Sequence, residues 1–127
     1  MMSGMNYRQS DVILTPFPFS DLSSSKKRPS LVVSADTFNE SSQDIVCCMI
    51  TTNPKTDGYT VSIKGTDAED GELHFNSTVK PHRLFTIDKK IVVKRLCSIR
   101  AEKFNEVIYK LQTLMPKIVI ADVKEKK

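Results

Sequence analysis

Residues 45–50 read IVCCMI, and Thr51-Thr52-Asn53-Pro54 follow at once. An unbroken apolar run of this length, stopped by a turn dipeptide, suits a strand covered on both faces and so set in the middle of a sheet. In such a strand the adjacent Cys47 and Cys48 point to opposite faces. Upstream, DVILTPFP (Asp11 to Pro18) reads as a first strand and Leu31-Val32-Val33 as a second, separated by the serine-rich polar loop SDLSSSKK (Ser20 to Lys27). Downstream, Asp57-Gly58 opens a strand over Tyr59 to Ile63, and the acidic stretch Lys64 to Gly71 reads as a loop. Further strands are expected over Leu73 to Val79, Arg83 to Ile87 and Ile91 to Leu96.

The period then changes. Phe104, Val107, Ile108, Leu111, Leu114 and Met115 follow the spacing of an amphipathic helix, and Pro116 should end it. Six or seven short strands closed by one helix predict a mainly β chain, a small barrel or strongly bent sheet with the helix packed across it. At 127 residues the chain is expected to form a single domain, with its core over about residues 10–115 and a charged tail over 117–127.

Composition narrows the function. A hydrophobic fraction of 39% with 27% charged residues is that of a folded chain rather than a disordered one. With no apolar run long enough to cross a bilayer and no signal-peptide layout at the N-terminus, the sequence predicts a cytoplasmic protein. Cys47, Cys48 and Cys97 are read as reduced core thiols, and the absence of Cys-x-x-Cys or His-x-x-x-His spacing argues against a metal site. A formal net charge of +4 favours an anionic partner.

The strings SDVILTPFPFSD, KKRPSLVVS, IVCCMITTNP, STVKPHRLFTIDKK and IVVKRLCSI, in this order over about residues 10–115, resemble the MazF/PemK toxin family. That resemblance implies an SH3-like barrel acting as a homodimer. It also implies a sequence-selective endoribonuclease that needs no metal or other cofactor, cuts single-stranded RNA and is neutralised by an acidic antitoxin. The family's catalytic Arg, followed by Pro, falls on Arg28, and its catalytic Thr falls on Thr51. Where some members carry an Arg and, two residues on, an Asp, this chain has Lys80 and His82. The Gly-Asp that commonly opens the first strand is Ser10-Asp11, a small change. The Gly usual near the last strand falls on Cys97, where a left-handed backbone would suit cysteine badly.

RNA cutting without metal needs the 2′-hydroxyl deprotonated, the phosphorane stabilised and the leaving 5′-oxygen protonated. Arg28 offers a planar, permanently charged set of donors for two phosphate oxygens. Thr51 can orient a phosphate oxygen or the 2′-hydroxyl but is a poor base. His82 is the candidate proton carrier, since imidazole titrates near neutrality; the alternative is a turn residue between Pro81 and Arg83. Lys26, Lys27, Lys80 and Arg83 are candidate RNA-phosphate contacts, against the alternative of solvated basic surface. Phe17 and Phe19 could stack bases, or pack in the core or at a dimer contact. Two rival functions remain at this stage: a non-catalytic CcdB-like barrel that binds DNA gyrase, and an inactive homologue that binds RNA or antitoxin without cutting.

Overall fold

In a computed structural model, the described residues are 6–16, 27–53, 57–74 and 76–118. The strands are β1 (Asp11–Pro16), β2 (Lys27–Val32), β3 (Asp44–Thr51), β4 (Val61–Ile63), β5 (Ala68–Glu69), β6 (Ser77–Asp88) and β7 (Lys94–Ile99). They form one antiparallel sheet in the order β4-β6-β3-β2-β1-β7-β5, curled into a half-barrel. A short helix α1 (Asp36–Ser41) joins β2 to β3, and α2 (Ala101–Leu114) follows β7.

The apolar run at 45–50 lies between β2 and β6, as its two-sided hydrophobicity requires. Its two cysteines part company there. Cys48 belongs to the larger core with Val12, Leu31, Ile50, Val79 and Val107, while Cys47 belongs to a second core with Ile13, Val32, Ile45 and Phe85. Burial pushes both thiols up to about 12, and Cys97 is also raised by burial, so all three stay protonated at neutral pH.

Helix α2 lies over β6 and β4. Phe104 and Val107 are buried, and Ile108 and Leu111 pack partly against the larger core. The expected core stripe is therefore shorter than its sequence periodicity, because Met115 is 64% exposed. The helix ends at Leu114, before Pro116, whose ring cannot continue it.

Several boundaries differ from the sequence reading. The strands expected over Leu73 to Val79 and Arg83 to Ile87 merge into one strand, β6, which starts only at Ser77 and has an irregularity in its middle. Cys48 pairs with Leu84 while the next residue, Met49, pairs with Lys80, so Pro81, His82 and Arg83 bulge from the ladder. Proline, lacking an N–H, is tolerated where a ladder is interrupted. Residues 89–91 form a 3-10 turn instead of opening β7, because the Asp88 carboxylate accepts from the Lys90 N–H at 2.8 Å. The acidic stretch 64–71, expected as loop, contains a 3-10 turn and the edge strand β5. The second β-element starts at Lys27 rather than Leu31.

The two substituted glycine positions exchange roles. Cys97 is an ordinary strand residue, buried and paired with Val12, whereas Ser10 holds φ +80. The Ser10 N–H donates to the Val32 carbonyl at 2.9 Å and its carbonyl accepts from the Ile99 N–H at 3.1 Å, so two ladders clamp that conformation. A side chain there costs about 1–2 kcal/mol in backbone strain. Ser10→Gly is therefore expected to stabilise the protein by about 1 kcal/mol after glycine's greater chain entropy is set against it, read as a higher urea midpoint. An unchanged or lower midpoint refutes the strain. The close approach that needs glycine near β7 is made at Gly71, with φ +139: a Cβ there would lie 2.1 Å from the Leu96 carbonyl oxygen and 2.9 Å from Cys97 Cβ.

Candidate active site

Residues directly opposite one another on neighbouring strands share a face of the sheet. Thr15 pairs with Arg28, Thr51 pairs with Thr78, and Thr78 pairs with Ser62. Between β2 and β3 the register runs Val32 to Cys47, Leu31 to Cys48 and Ser30 to Met49. That ladder ends at Ser30 and Met49, and both strands run on for two residues, so alternation puts Arg28 and Thr51 on the face that Ser30 and Met49 share. The result is a polar row, Thr15, Arg28, Thr51, Thr78 and Ser62, across five strands of one face. One step further in, Lys80 and Ser30 both face Met49 from either side. Behind that step lies the second apolar core, which holds the strands of the row in place.

The row occupies the end of the sheet where β1 and β3 finish and where β2 and β6 begin. Arg28 is half-buried, Thr78 is buried, and Lys80 is half-buried. The Thr51 hydroxyl accepts from the Asn53 N–H at 3.1 Å. It thus caps the turn after β3, and that bond leaves its own proton free to point at an anion. Capping the turn and presenting a proton to an anion are compatible in this geometry.

Lys27, at the exposed start of β2, pairs with Pro16 beside the row. His82 and Arg83 are exposed in the bulge of β6, next to Lys80. Lys26, Phe17 and Phe19 lie outside the described residues. His74 is exposed with Nε2 3.3 Å from Glu72 Oε1, on a different loop from the row.

Four polar members of this face were not singled out from the sequence: Thr15, Ser30, Ser62 and Thr78. Thr78 could have been found, since alternation in S-T-V-K puts it on the same face as Lys80. Thr15 and Ser30 could not, because their place beside Arg28 and Met49 depends on strand pairing. Both are fully buried, and their hydroxyls have no hydrogen-bond partner among the described residues. A buried hydroxyl without a partner costs about 1–3 kcal/mol. Thr15→Val, which keeps the shape and removes the hydroxyl, is expected to raise the thermal midpoint; a lowered midpoint shows that the hydroxyl is satisfied in solution.

The sequence from residue 8 to 115 matches the model of the PemK-like, MazF-like toxins of type II toxin-antitoxin systems. The chain belongs to this family. Comparison with curated proteins returned no match. Among solved structures, the MazE–MazF complex of Deinococcus radiodurans (Form-III) is similar over 87% of this chain and 97% of its own, at 19% identity and TM-score 0.73. An endoribonuclease from a mycobacterial species is similar over 86% of this chain and 90% of its own, at 20% identity and TM-score 0.69. The Mycobacterium tuberculosis toxin MazF-mt6 aligns over 81% and 93%, at 14% identity and TM-score 0.66. At these identities the likeness is one of fold. The MazF-like fold expected from the sequence strings is the fold the chain has.

Proposed function

We propose that this MazF-like chain is the toxin of a type II toxin–antitoxin pair and an endoribonuclease that cuts single-stranded RNA without a metal cofactor. The observation that carries this reading is the polar row that brings Arg28 and Thr51 to one face at the same end of the sheet, with Lys80 one step away. Solved relatives of the same fold are described as endoribonucleases, and some are complexes of MazE with MazF. The family match favours cutting over gyrase binding, for which a phosphate site has no use.

In this reading the Arg28 guanidinium spans two non-bridging oxygens of the scissile phosphate. The Thr51 hydroxyl donates to an oxygen of the same phosphate or aligns the ribose 2′-hydroxyl. The 2′-oxygen loses its proton and bonds to phosphorus, the bond from phosphorus to the 5′-oxygen breaks, and that oxygen takes up a proton. The products carry a 2′,3′-cyclic phosphate and a 5′-hydroxyl. Charge grows on the phosphorane oxygens as the new bond forms, so Arg28 binds the transition state more strongly than the ground state. His82 is the proton carrier of this scheme, and Lys26, Lys27, Lys80 and Arg83 hold flanking phosphates. The protein acts in the cytoplasm as a homodimer, and an acidic antitoxin segment folding across the basic end of the sheet shuts it off.

Purified protein in EDTA is expected to cut single-stranded RNA to cyclic-phosphate ends, and the rate should show a pH limb set by its proton carrier. In His82→Gln that limb should vanish along with most of the rate. An unaltered pH profile in His82→Gln removes His82 from proton transfer, and absence of cutting by the unmodified protein sinks the nuclease reading.

A further inference from the structure

Behind the polar row, the opposite face of the same strand ends opens into a cavity of about 520 Å³. Leu14, Pro29, Leu73 and Leu96 give it apolar walls, and Thr52, Glu72, His74 and Lys94 bring polar groups to it. It is the mouth of the larger core, against which Leu73 and Leu96 pack. Its relation to the row is fixed by the chain itself. Leu14 follows Val12 and Ile13 just ahead of Thr15, Pro29 follows Arg28, and Thr52 follows Thr51, so alternation sends each row residue to one face and its neighbour into the cavity.

We infer that this cavity is a nucleobase subsite, which receives a base next to the phosphate held by Arg28 and Thr51. The inference rests on the nuclease reading and names what that site reads. An RNA strand gripped on one face at the ends of β1, β2 and β3 can pass over that edge, and the cavity lies directly beyond it. The volume falls within the range of small-ligand pockets, which are apolar with a few placed polar groups and recur in the mouths of barrels. Extruded bases are held in the same way, between apolar side chains with hydrogen bonds to the pairing edge.

Charge and hydrogen bonding decide which base. Glu72 offers two carboxylate oxygens, acceptors alone, and is 76% exposed beside His74. Guanine presents parallel N–H donors along its pairing edge and matches a carboxylate; uracil presents one donor between two acceptors and repels it. Lys94, exposed at the start of β7, supplies a cation for the phosphate that follows. Gly71 is what lets this loop sit so close. Its lack of a side chain allows contact with Leu96 and Cys97, and the next residue's N–H, that of Glu72, donates to the Leu96 carbonyl at 3.3 Å.

The test uses the whole protein and RNA in two measurements. In the first, cut ends from an RNA pool of random sequence are mapped for the unmodified protein and for Glu72→Gln, whose exposed side chain carries no part of the fold. Guanine should be enriched at one position close to the cut, and Glu72→Gln should reduce that enrichment about tenfold while leaving preferences elsewhere in place. In the second, RNA containing photoreactive thioguanosine is crosslinked to the protein and the attached peptide is identified. An adduct on residues 72–74 supports the subsite whether or not the RNA is cut, so this arm stands apart from the nuclease reading. Unchanged enrichment in Glu72→Gln overturns the inference. Adducts confined to the Arg28 and Lys80 side also overturn it, which is the result expected if a polypeptide partner fills the cavity.

Discussion

Arg28→Ala is expected to lower RNA cleavage by about a thousandfold or more while the fold persists. The magnitude follows from the role. Removing a single donor to a developing oxyanion costs about 10²–10³ in rate, and an arginine that neutralises a transferring phosphoryl group is worth about 10³–10⁵. Arg28 supplies several donors and a full charge, so its loss belongs in the upper part of that range. The fold should survive because Arg28 is half-buried at the start of β2, and its backbone pairing with Thr15 does not depend on the side chain. Arg28→Lys should recover part of the rate, since a point charge remains without the planar pair of donors. The measurement is single-turnover cleavage of a short fluorescent RNA, with circular dichroism as the control for folding. A rate within tenfold of the unmodified protein removes Arg28 from the site.

The largest effect on stability is expected at Asp11. Its side chain is 3% exposed, and one oxygen accepts from Arg95 Nε at 3.0 Å and from Ser98 Oγ at 2.9 Å. The other oxygen accepts from the Arg8 N–H at 2.8 Å. Arg95 also donates to the Asp70 carbonyl oxygen and carboxylate, each at 3.0 Å. One carboxylate therefore joins β1, β7 and the turn that carries Gly71. Asp11→Ala leaves the guanidinium without its best-shielded partner. Breaking a buried pair by removing one member costs about 3–5 kcal/mol, and the exposure of Arg95 places this case at about 3 kcal/mol. That corresponds to roughly 10 °C in thermal midpoint for a chain of this size. Asp11→Ala and Arg95→Met together should cost less than the sum of the single changes, because the pair is lost once. Strict additivity would show that the two side chains do not stabilise each other.

These two residues were unequally legible. Arg28 and Thr51 stand out through the strings around them, and the sheet then brings them to one face at one end. Asp11 reads in the sequence only as the residue that opens the first strand, because its partners are at positions 95 and 98, and nothing local announces them. Helix α2 was plain, since an apolar stripe repeats within one segment. Strand β6 was not, because Pro81-His82-Arg83 interrupts the alternation and reads as a break between two strands, while the pairing of β3 with both sides of the interruption shows one. The misplaced weight on Ser10 and Cys97 has the same origin. Whether a residue sits at positive φ depends on the ladders that clamp it, and those come from distant segments.

The sequence by itself determined the class of the fold, the central place of residues 45–50, the division of Cys47 from Cys48 and the closing helix. Each of these follows from periodicity or from neighbouring residues. Only the tertiary structure decided that Thr15, Thr78 and Lys80 share the face of Arg28 and Thr51, that Gly71 packs against Cys97, and that a cavity opens behind the row. These depend on register, and register joins residues that are far apart in the chain, where a shift of one position would send every side chain to the other face.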